Sequence, residues 1–268
     1  MKRDRIAVIA LASTAAALSG SACAQAPSPW QFRVSLYGYL PDVTSQSSFP
    51  TGGFTPNINV QAGDILKLKG AFMGTFEAQY QRWGLWTDYM YVNIGADKSG
   101  TRSLSIGNAA LPAGVSADLH YNVKGSVWTI AGTYRVLSDA GSTLDVLAGA
   151  RLVDLRETLD WNFSTDLGPN DPSRTGNSSD KARNWDGIIG VKGRLALGPD
   201  HSWYVPYYLD AGGGDSDFTW QGLAGLGYAF SWGDVAVAWR YLDYHFGSSS
   251  SIENARFSGP LVGVAFRW

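Results

Sequence analysis

The sequence predicts an all-β fold: a transmembrane up-and-down antiparallel β-barrel of ten strands, with eight or twelve as the admissible alternatives. Three observations carry this reading. Apolar and polar residues alternate with a period of two over segment after segment, the spacing at which a strand sorts its side chains onto two faces. Of the 268 residues 45% are hydrophobic, yet mean hydropathy is only −0.10. A barrel accommodates both values, because only alternate residues need face lipid. Finally, the connections between strands alternate long and short, as they do when a chain runs up and down.

The first predicted strand covers Trp30 to Leu40, with Trp30, Phe32, Val34, Leu36 and Leu40 on one face and Gln31, Arg33, Ser35, Tyr37 and Tyr39 on the other. A loop from Pro41 to Leu66 follows, in which Asn57 to Gly63 has the texture of an extra β segment. The second strand, about Lys69 to Gln81, turns Phe72, Phe76, Ala78 and Tyr80 outward and Thr75, Glu77 and Gln79 inward. Arg82-Trp83-Gly84 turns tightly into the third, about Leu85 to Ile94, where Asp88 opposes Leu85, Tyr89 and Tyr91. A loop from Gly95 to Val115 precedes the fourth and fifth strands, about Ala117 to Leu137 and Thr143 to Phe163, which flank the turn Ser138 to Ser142. A loop from Ser164 to Arg183 leads to the sixth, about Trp185 to Leu197, and Gly198-Pro199-Asp200 turns into the seventh, Ser202 to Gly212. The eighth is about Phe218 to Ser231. Trp232-Gly233-Asp234 turns into the ninth, Val235 to His245, and the tenth is about Arg256 to Trp268. An even count returns both termini to the side of the short turns.

The fourth and fifth strands test the period internally. Centred on Ala140, the hairpin pairs Val136 with Leu144, Ile130 with Ala150 and Trp128 with Leu152 on an apolar face. Further from the turn the same face carries Lys124 opposite Arg156, Asn122 opposite Thr158 and His120 opposite Asp160. The other face turns apolar there, with Leu119, Tyr121, Val123, Leu155, Leu159 and Trp161. The inversion falls about ten residues from the turn, near the roughly 9–11 residues a tilted strand needs to span a bilayer. A change of outside solvent from lipid to water explains it, and a bulge or register error is the rival account.

Domain organisation is simple. Lys2, Arg3 and Arg5, the apolar stretch Ile6 to Leu18 and Ala22-Cys23-Ala24 form a secretory signal peptide, residues 1–24, with residues 25–268 as the barrel domain. Lipidation of Cys23 is the competing reading, against which Gly20 stands where a lipoprotein usually has Leu. Cleavage after Ala24 removes the sole Cys, which suits an oxidising compartment and excludes disulfides and thiolate metal sites. The formal net charge of −2 becomes about −4 once the segment's +2 is removed, and no basic run points to a nucleic-acid partner.

Parity turns Arg33, Glu77, Asp88, Arg151, Asp186, Lys192, Arg194, Asp210 and Arg240 inward as candidate lumen-lining residues. Their mixed signs suit either ion pairs in a filled polar interior or the filter of a thin channel. Trp30, Trp83, Trp203, Trp232 and Trp268 fall beside short turns or a terminus, and Trp161, Trp185 and Trp220 near long-loop ends, the places of two membrane-interface girdles. Asp243 and His245 share a face and have the spacing of an acid–base pair, although on the lipid-side parity. Asp210, Asp215 and Asp217 surround Gly212-Gly213-Gly214, a candidate divalent-cation loop that matches no calcium-loop pattern. A soluble ligand-holding barrel would reverse the faces, with apolar residues inside.

A terminal strand in which Val262, Val264, Phe266 and Trp268 share one apolar face resembles the closing strand of bacterial outer-membrane barrels. With Gly149-Ala150-Arg151 and the run from Thr219-Trp220-Gln221 through Tyr228 to Arg240-Tyr241-Leu242-Asp243-Tyr244, the mature chain is similar to small Gram-negative outer-membrane β-barrel proteins of the porin-like and OmpA-type group. The resemblance implies residence in the outer membrane after export, contact with outer-membrane lipid and lipopolysaccharide, and recognition of the terminal aromatic by the barrel assembly machinery. It implies a monomer with no cofactor, no metal and no catalytic set, in a structural or narrow porin-like role. Surface ligand binding or adhesion through the long loops, and an outer-membrane hydrolase, are the alternatives.

Overall fold

The computed structural model describes residues 29–47, 57–60, 68–100, 105–106, 109–110, 115–165, 174–246 and 252–268. The expected signal segment, Cys23 included, lies outside them. The described elements are all strands: β1 (Trp30–Tyr39), β2 (Asp42–Ser47), β3 (Asn57–Val60), β4 (Leu68–Tyr80), β5 (Trp83–Gly100), β6 (Ser105–Ile106), β7 (Ala109–Ala110), β8 (Val115–Asp139), β9 (Ser142–Thr165), β10 (Arg174–Leu197), β11 (Trp203–Gly214), β12 (Phe218–Ala229), β13 (Gly233–His245) and β14 (Ile252–Arg267).

The main sheet runs β1-β4-β5-β8-β9-β10-β11-β12-β13-β14, and β14 returns to β1 through antiparallel pairs from Arg33↔Arg267 to Tyr39↔Leu261. The result is a closed antiparallel barrel of 10 strands. The upper part of β14 pairs with β2, and β2 with β3, the extra segment expected in the first loop. The chain breaks between β1 and β2 at Leu40-Pro41, because proline has no N–H for the ladder. Leu40 N still reaches the Pro260 carbonyl at 3.0 Å, so the seam carries on past the break.

Several strands reach further than their hydrophobic pattern. β10 begins at Arg174 rather than near Trp185, β5 continues to Gly100, and β14 starts at Ile252. Much of what reads as loop between Ser164 and Arg183 is therefore paired to β9, from Arg174↔Phe163 onward. Backbone pairing needs no apolar face, so the period of two fades wherever neither side of the sheet must be apolar. The turns also tighten: Tyr80↔Trp83 leaves Gln81 and Arg82 as a two-residue turn, with φ 54° at Gln81.

The β8–β9 hairpin corrects one expected pair. Asp139↔Ser142 leaves Ala140 and Gly141 as the turn, at φ 42° and 80°, the positive values that a tight hairpin matching the sheet twist requires. The register then shifts between Arg135 and Leu137, so Leu144 faces Leu137 and Val136 bulges out. Beyond the bulge, Ile130↔Ala150, Trp128↔Leu152, Lys124↔Arg156 and His120↔Asp160 follow in unbroken register to Val115↔Thr165. The polarity inversion is thus not a register fault. Lys124 and Arg156 are exposed, while Val127, Val153 and Leu155 on the other face are buried. The side chains of Leu119, Tyr121, Val123, Leu159 and Trp161 lie outside the described set.

Across the barrel wall the alternation has a clear direction. Leu36, Phe72, Leu85, Ile189, Leu209, Val237 and Val262 are exposed, whereas Arg151 and Arg240 are 0% and 2% exposed. Apolar residues outside and charges inside exclude the soluble ligand-holding arrangement, and a patch of this extent is one that water solvates poorly.

Gly141 is required by its φ, and a Cβ there would also lie 3.2 Å from the Cβ atoms of Ala196 and His201. Gly141→Ala is expected to lower unfolding stability by about 1–2 kcal/mol, measured as a shifted urea midpoint of the refolded barrel.

Candidate functional site: the lumen

The interior is stratified, and β13 shows the order from the turn end to the far end: Asp234, Ala236, Ala238, Arg240, Leu242, Tyr244 and then Phe246 just past the strand. Charges occupy the turn half of this series and apolar groups the far half. The same order recurs on β9, where Asp145 and Arg151 are followed by Val153 and Leu155, all buried.

At the mouth, Arg33 Nη2 lies 2.9 Å and Arg267 Nη2 3.3 Å from the carboxylate of Asp234. Arg194 donates from Nε to the Gly141 carbonyl at 2.9 Å, and its guanidinium lies 5.5 Å from the Tyr204 ring centroid. That ring lies across its cross-strand neighbour Gly227, where a Cβ would come within 2.3 Å of it. One level deeper, Lys192 Nζ meets Glu77 at 2.7 Å and lies 5.6 Å from the Trp86 ring centroid. Arg135 grips Asp145 through Nε at 2.8 Å and Nη2 at 3.1 Å, the fork geometry that suits a guanidinium.

Two buried clusters form the next level. Arg240 donates from Nη2 to Asp88 Oδ2 at 2.8 Å and Gln221 Oε1 at 2.9 Å, and from Nη1 to the Tyr37 hydroxyl at 2.8 Å. Tyr37 in turn donates to Asp88 Oδ1 at 2.5 Å, and Tyr39 adds its ring face 5.7 Å from the guanidinium. On the other wall, Asp210 is held by Arg151 and by the Tyr208 hydroxyl, and Arg151 Nε donates to Thr129 Oγ1 at 3.1 Å. Asp186, cross-strand from Arg151, accepts the Ser216 N–H at 2.8 Å. All nine candidate lumen residues therefore lie inside, seven of them ion-paired and two, Asp186 and Arg194, held by backbone groups as just described.

Beyond the charges, Met73, Met90, Val92, Val127, Val153, Leu155, Leu242, Phe246 and Phe257 pack into one apolar cluster. The space that is left is a vestibule of about 660 Å³ on the turn side, lined by residues of the mouth such as Ser231 and Arg267 and floored by Tyr37, Asp88 and Arg240. Buried charges need partners in a low-dielectric interior, and this arrangement supplies them within the protein.

Sequence parity missed four charged members of this lattice. Arg135 and Asp145 stand on the inward parity of their strands and were within reach of the same rule. Asp234 was absorbed into a turn, whereas it is the second residue of β13, and Arg267 looked like a small-face residue of the last strand. The tyrosines and Gln221 carried no charge to single them out.

The other candidate sites do not assemble. Asp243 faces outward with its carboxylate held by Arg256 Nη2 at 3.2 Å and the Tyr241 hydroxyl at 3.1 Å. Asp243 is buried, whereas His245 is exposed and sets its ring 6.5 Å from that of Phe218. Asp210 is drawn into the lumen while Asp215 accepts the Trp185 N–H at 2.9 Å, and no group of three His, Cys, Asp or Glu gathers among the described residues. Trp30, Trp83, Trp203, Trp232 and Trp268 are all exposed at the turn end and edged by other rings, as in Trp83–Tyr134 at 4.9 Å and Phe32–Trp268 at 5.9 Å. At the opposite end Trp185 meets Trp128 at 6.4 Å.

No protein-family model matches the chain, and no curated protein matches it either. Among solved structures, the outer membrane protease OmpT from Escherichia coli aligns over 89% of this chain and 96% of its own at 12% identity, with a TM-score of 0.54. Ail, the attachment invasion locus protein of Yersinia pestis, aligns over 89% and 98% at 10% identity and a TM-score of 0.29. The translocator domain of the autotransporter NalP from Neisseria meningitidis aligns over 88% of each chain at 12% identity and a TM-score of 0.30. The likeness to OmpT is one of fold: the architecture is that of an outer-membrane β-barrel.

Arg240→Ala leaves Asp88 buried without its cation and is expected to cost about 3–5 kcal/mol. Arg256→Ala removes a half-exposed guanidinium from the buried carboxylate of Asp243, which keeps the Tyr241 hydroxyl, and is expected to cost less, about 1–2 kcal/mol. Parallel urea unfolding of the two variants measures the contrast.

Proposed function

We propose that the protein is a closed, non-conducting barrel of a Gram-negative outer membrane with a structural role. The observation that carries the reading is the stacking of paired charges beneath a packed apolar layer among the described residues, which supports an axis filled by side chains. A ten-stranded barrel is narrow enough for side chains to fill, unlike the 16–18-stranded channels. The apolar outer wall supports the membrane location, because hydrocarbon is the solvent in which such a surface and a closed hydrogen-bonded sheet are stable. The exposed tryptophans at the turn end fit an interfacial girdle, with Trp185 and Trp128 toward the opposite one. On this reading the turns and termini lie on the periplasmic side, the signal segment is removed on export, and the assembly machinery takes the C-terminal strand.

The non-catalytic part rests on Asp243 and His245, which face away from the lumen with Asp243 engaged by Arg256 and Tyr241. One observation favours a second role beside the first. β8, β9 and β10 run for 25, 24 and 24 residues, well over twice the roughly 9–11 that a span requires. The excess presents a broad paired sheet on the loop side, a platform for surface contacts.

Reconstituted in planar bilayers, the protein is expected to give no unitary current above background under applied voltage. Reproducible conductance steps abolished by a blocking substitution in the vestibule would sink the closed-lumen reading.

A further inference from the structure

The outer faces of β8, β9 and β10 carry a feature that the lumen does not account for. Lys124 stands directly across from Arg156, and Arg156 directly across from Lys181. Three cations thus form one row over three adjacent strands, all exposed, with their strand neighbours Gly125, Leu155 and Ala182 buried on the opposite face. In the next row toward the turns, Arg183 sits across from Asp154, both exposed, so the patch of five residues holds four cations against one carboxylate. Directly opposed residues in an antiparallel pair have Cβ atoms about 4.5–5.5 Å apart, and like charges there destabilise the sheet. A row of this kind is costly unless an anion lies over it.

The surroundings say which anion. The row after Arg183 is Trp128, Leu152 and Trp185, the aromatic edge at the far end of the wall. Below it the outward face of β10 continues with Gly187 and Ile189, the latter 70% exposed, into an apolar groove of about 750 Å³ that includes Val146, Ile189 and Leu209. Read down one face, the chemistry is cation, aromatic, hydrocarbon. That is the profile of an amphiphile standing upright against the wall, with its phosphate over the guanidinium and ammonium groups and its acyl chain along the groove.

We infer that Lys124, Arg156 and Lys181, with Arg183, form a binding site for the phosphate-bearing headgroup of a lipid in the leaflet on the loop side of the barrel. The site rests on the membrane reading above, and it places the phosphate outside the barrel wall, apart from the lumen. Guanidinium forks suit phosphate oxygens, and ammonium groups add point charge.

The test uses the full-length barrel folded in detergent, its fold checked by heat-modifiable migration, and titrated with diphosphoryl lipid A. Lys124→Gln, Arg156→Gln and Lys181→Gln combined should weaken binding by at least about tenfold, given the contribution of each cation near an anionic surface. Lys192→Gln, a lumen change, should leave binding as it is. Wild-type protein should bind a dephosphorylated lipid A at least about tenfold more weakly than the diphosphoryl form, a comparison that needs no variant and stands even if the triple variant folds poorly. Equal binding by wild type and triple variant, or full displacement of the lipid by millimolar inorganic phosphate, would overturn the site. Either failure leaves the bilayer current record untouched, so the two readings fail separately.

Discussion

Everything in this molecule depends on the β1–β14 seam. A sheet surrounded by hydrocarbon has nowhere to leave an unpaired N–H or carbonyl, so an open edge is not an option there. The pairs from Arg33↔Arg267 to Tyr39↔Leu261 remove the two edges the sheet would otherwise have. Closure in turn decides the side-chain problem. It separates one face that meets a nonpolar surrounding from one that meets only other side chains, and it fixes the diameter within which the inward charges must find each other.

The inward charges solve that problem by level. Near the turns they surround an open vestibule where water can share in their solvation, and there the guanidiniums of Arg33 and Arg267 share Asp234. Deeper in, Asp88 and Asp210 are each bound by an arginine and a tyrosine hydroxyl. Deeper still the lumen stops carrying charge and is filled by Met, Val, Leu and Phe. Desolvation explains the order, since each step away from the mouth removes water that could compensate an imperfect pair. Interior and exterior polarity cross over in opposite senses: where the inside becomes apolar, the outside of β8–β10 becomes charged.

The strands, their direction and the inward set were legible because the side-chain period is two and one face had to be apolar. Asp88 among Leu85, Tyr89 and Tyr91 needed no further information. Legibility ended where that pressure ended. The Arg174 to Asn184 stretch of β10 pairs fully with β9 while carrying Asn, Ser, Asp and Lys in no alternating order. The Val136 bulge is one residue of slip beside a turn, invisible to a period that resumes on the same face of the partner. Nor does parity say which acid meets which base. Lys192 finds Glu77 and Arg240 finds Asp88 across the lumen, and those choices depend on strand tilt and stagger rather than on spacing along the chain.

The ion pairs that cross the lumen also bear on how the barrel comes into being. Asp88 and Arg240 are 152 positions apart, and Tyr37 and Arg240 are 203 apart. Hairpins such as β8–β9 are local and form early, whereas contacts of this separation carry the entropy of ordering nearly the whole chain first. Arg240 therefore remains an unneutralised cation on a half-built sheet and gains its carboxylate only when the cylinder shuts. Neutralisation of the interior and completion of the wall become one kinetic event, which makes the mature lumen a record that assembly ran to its end.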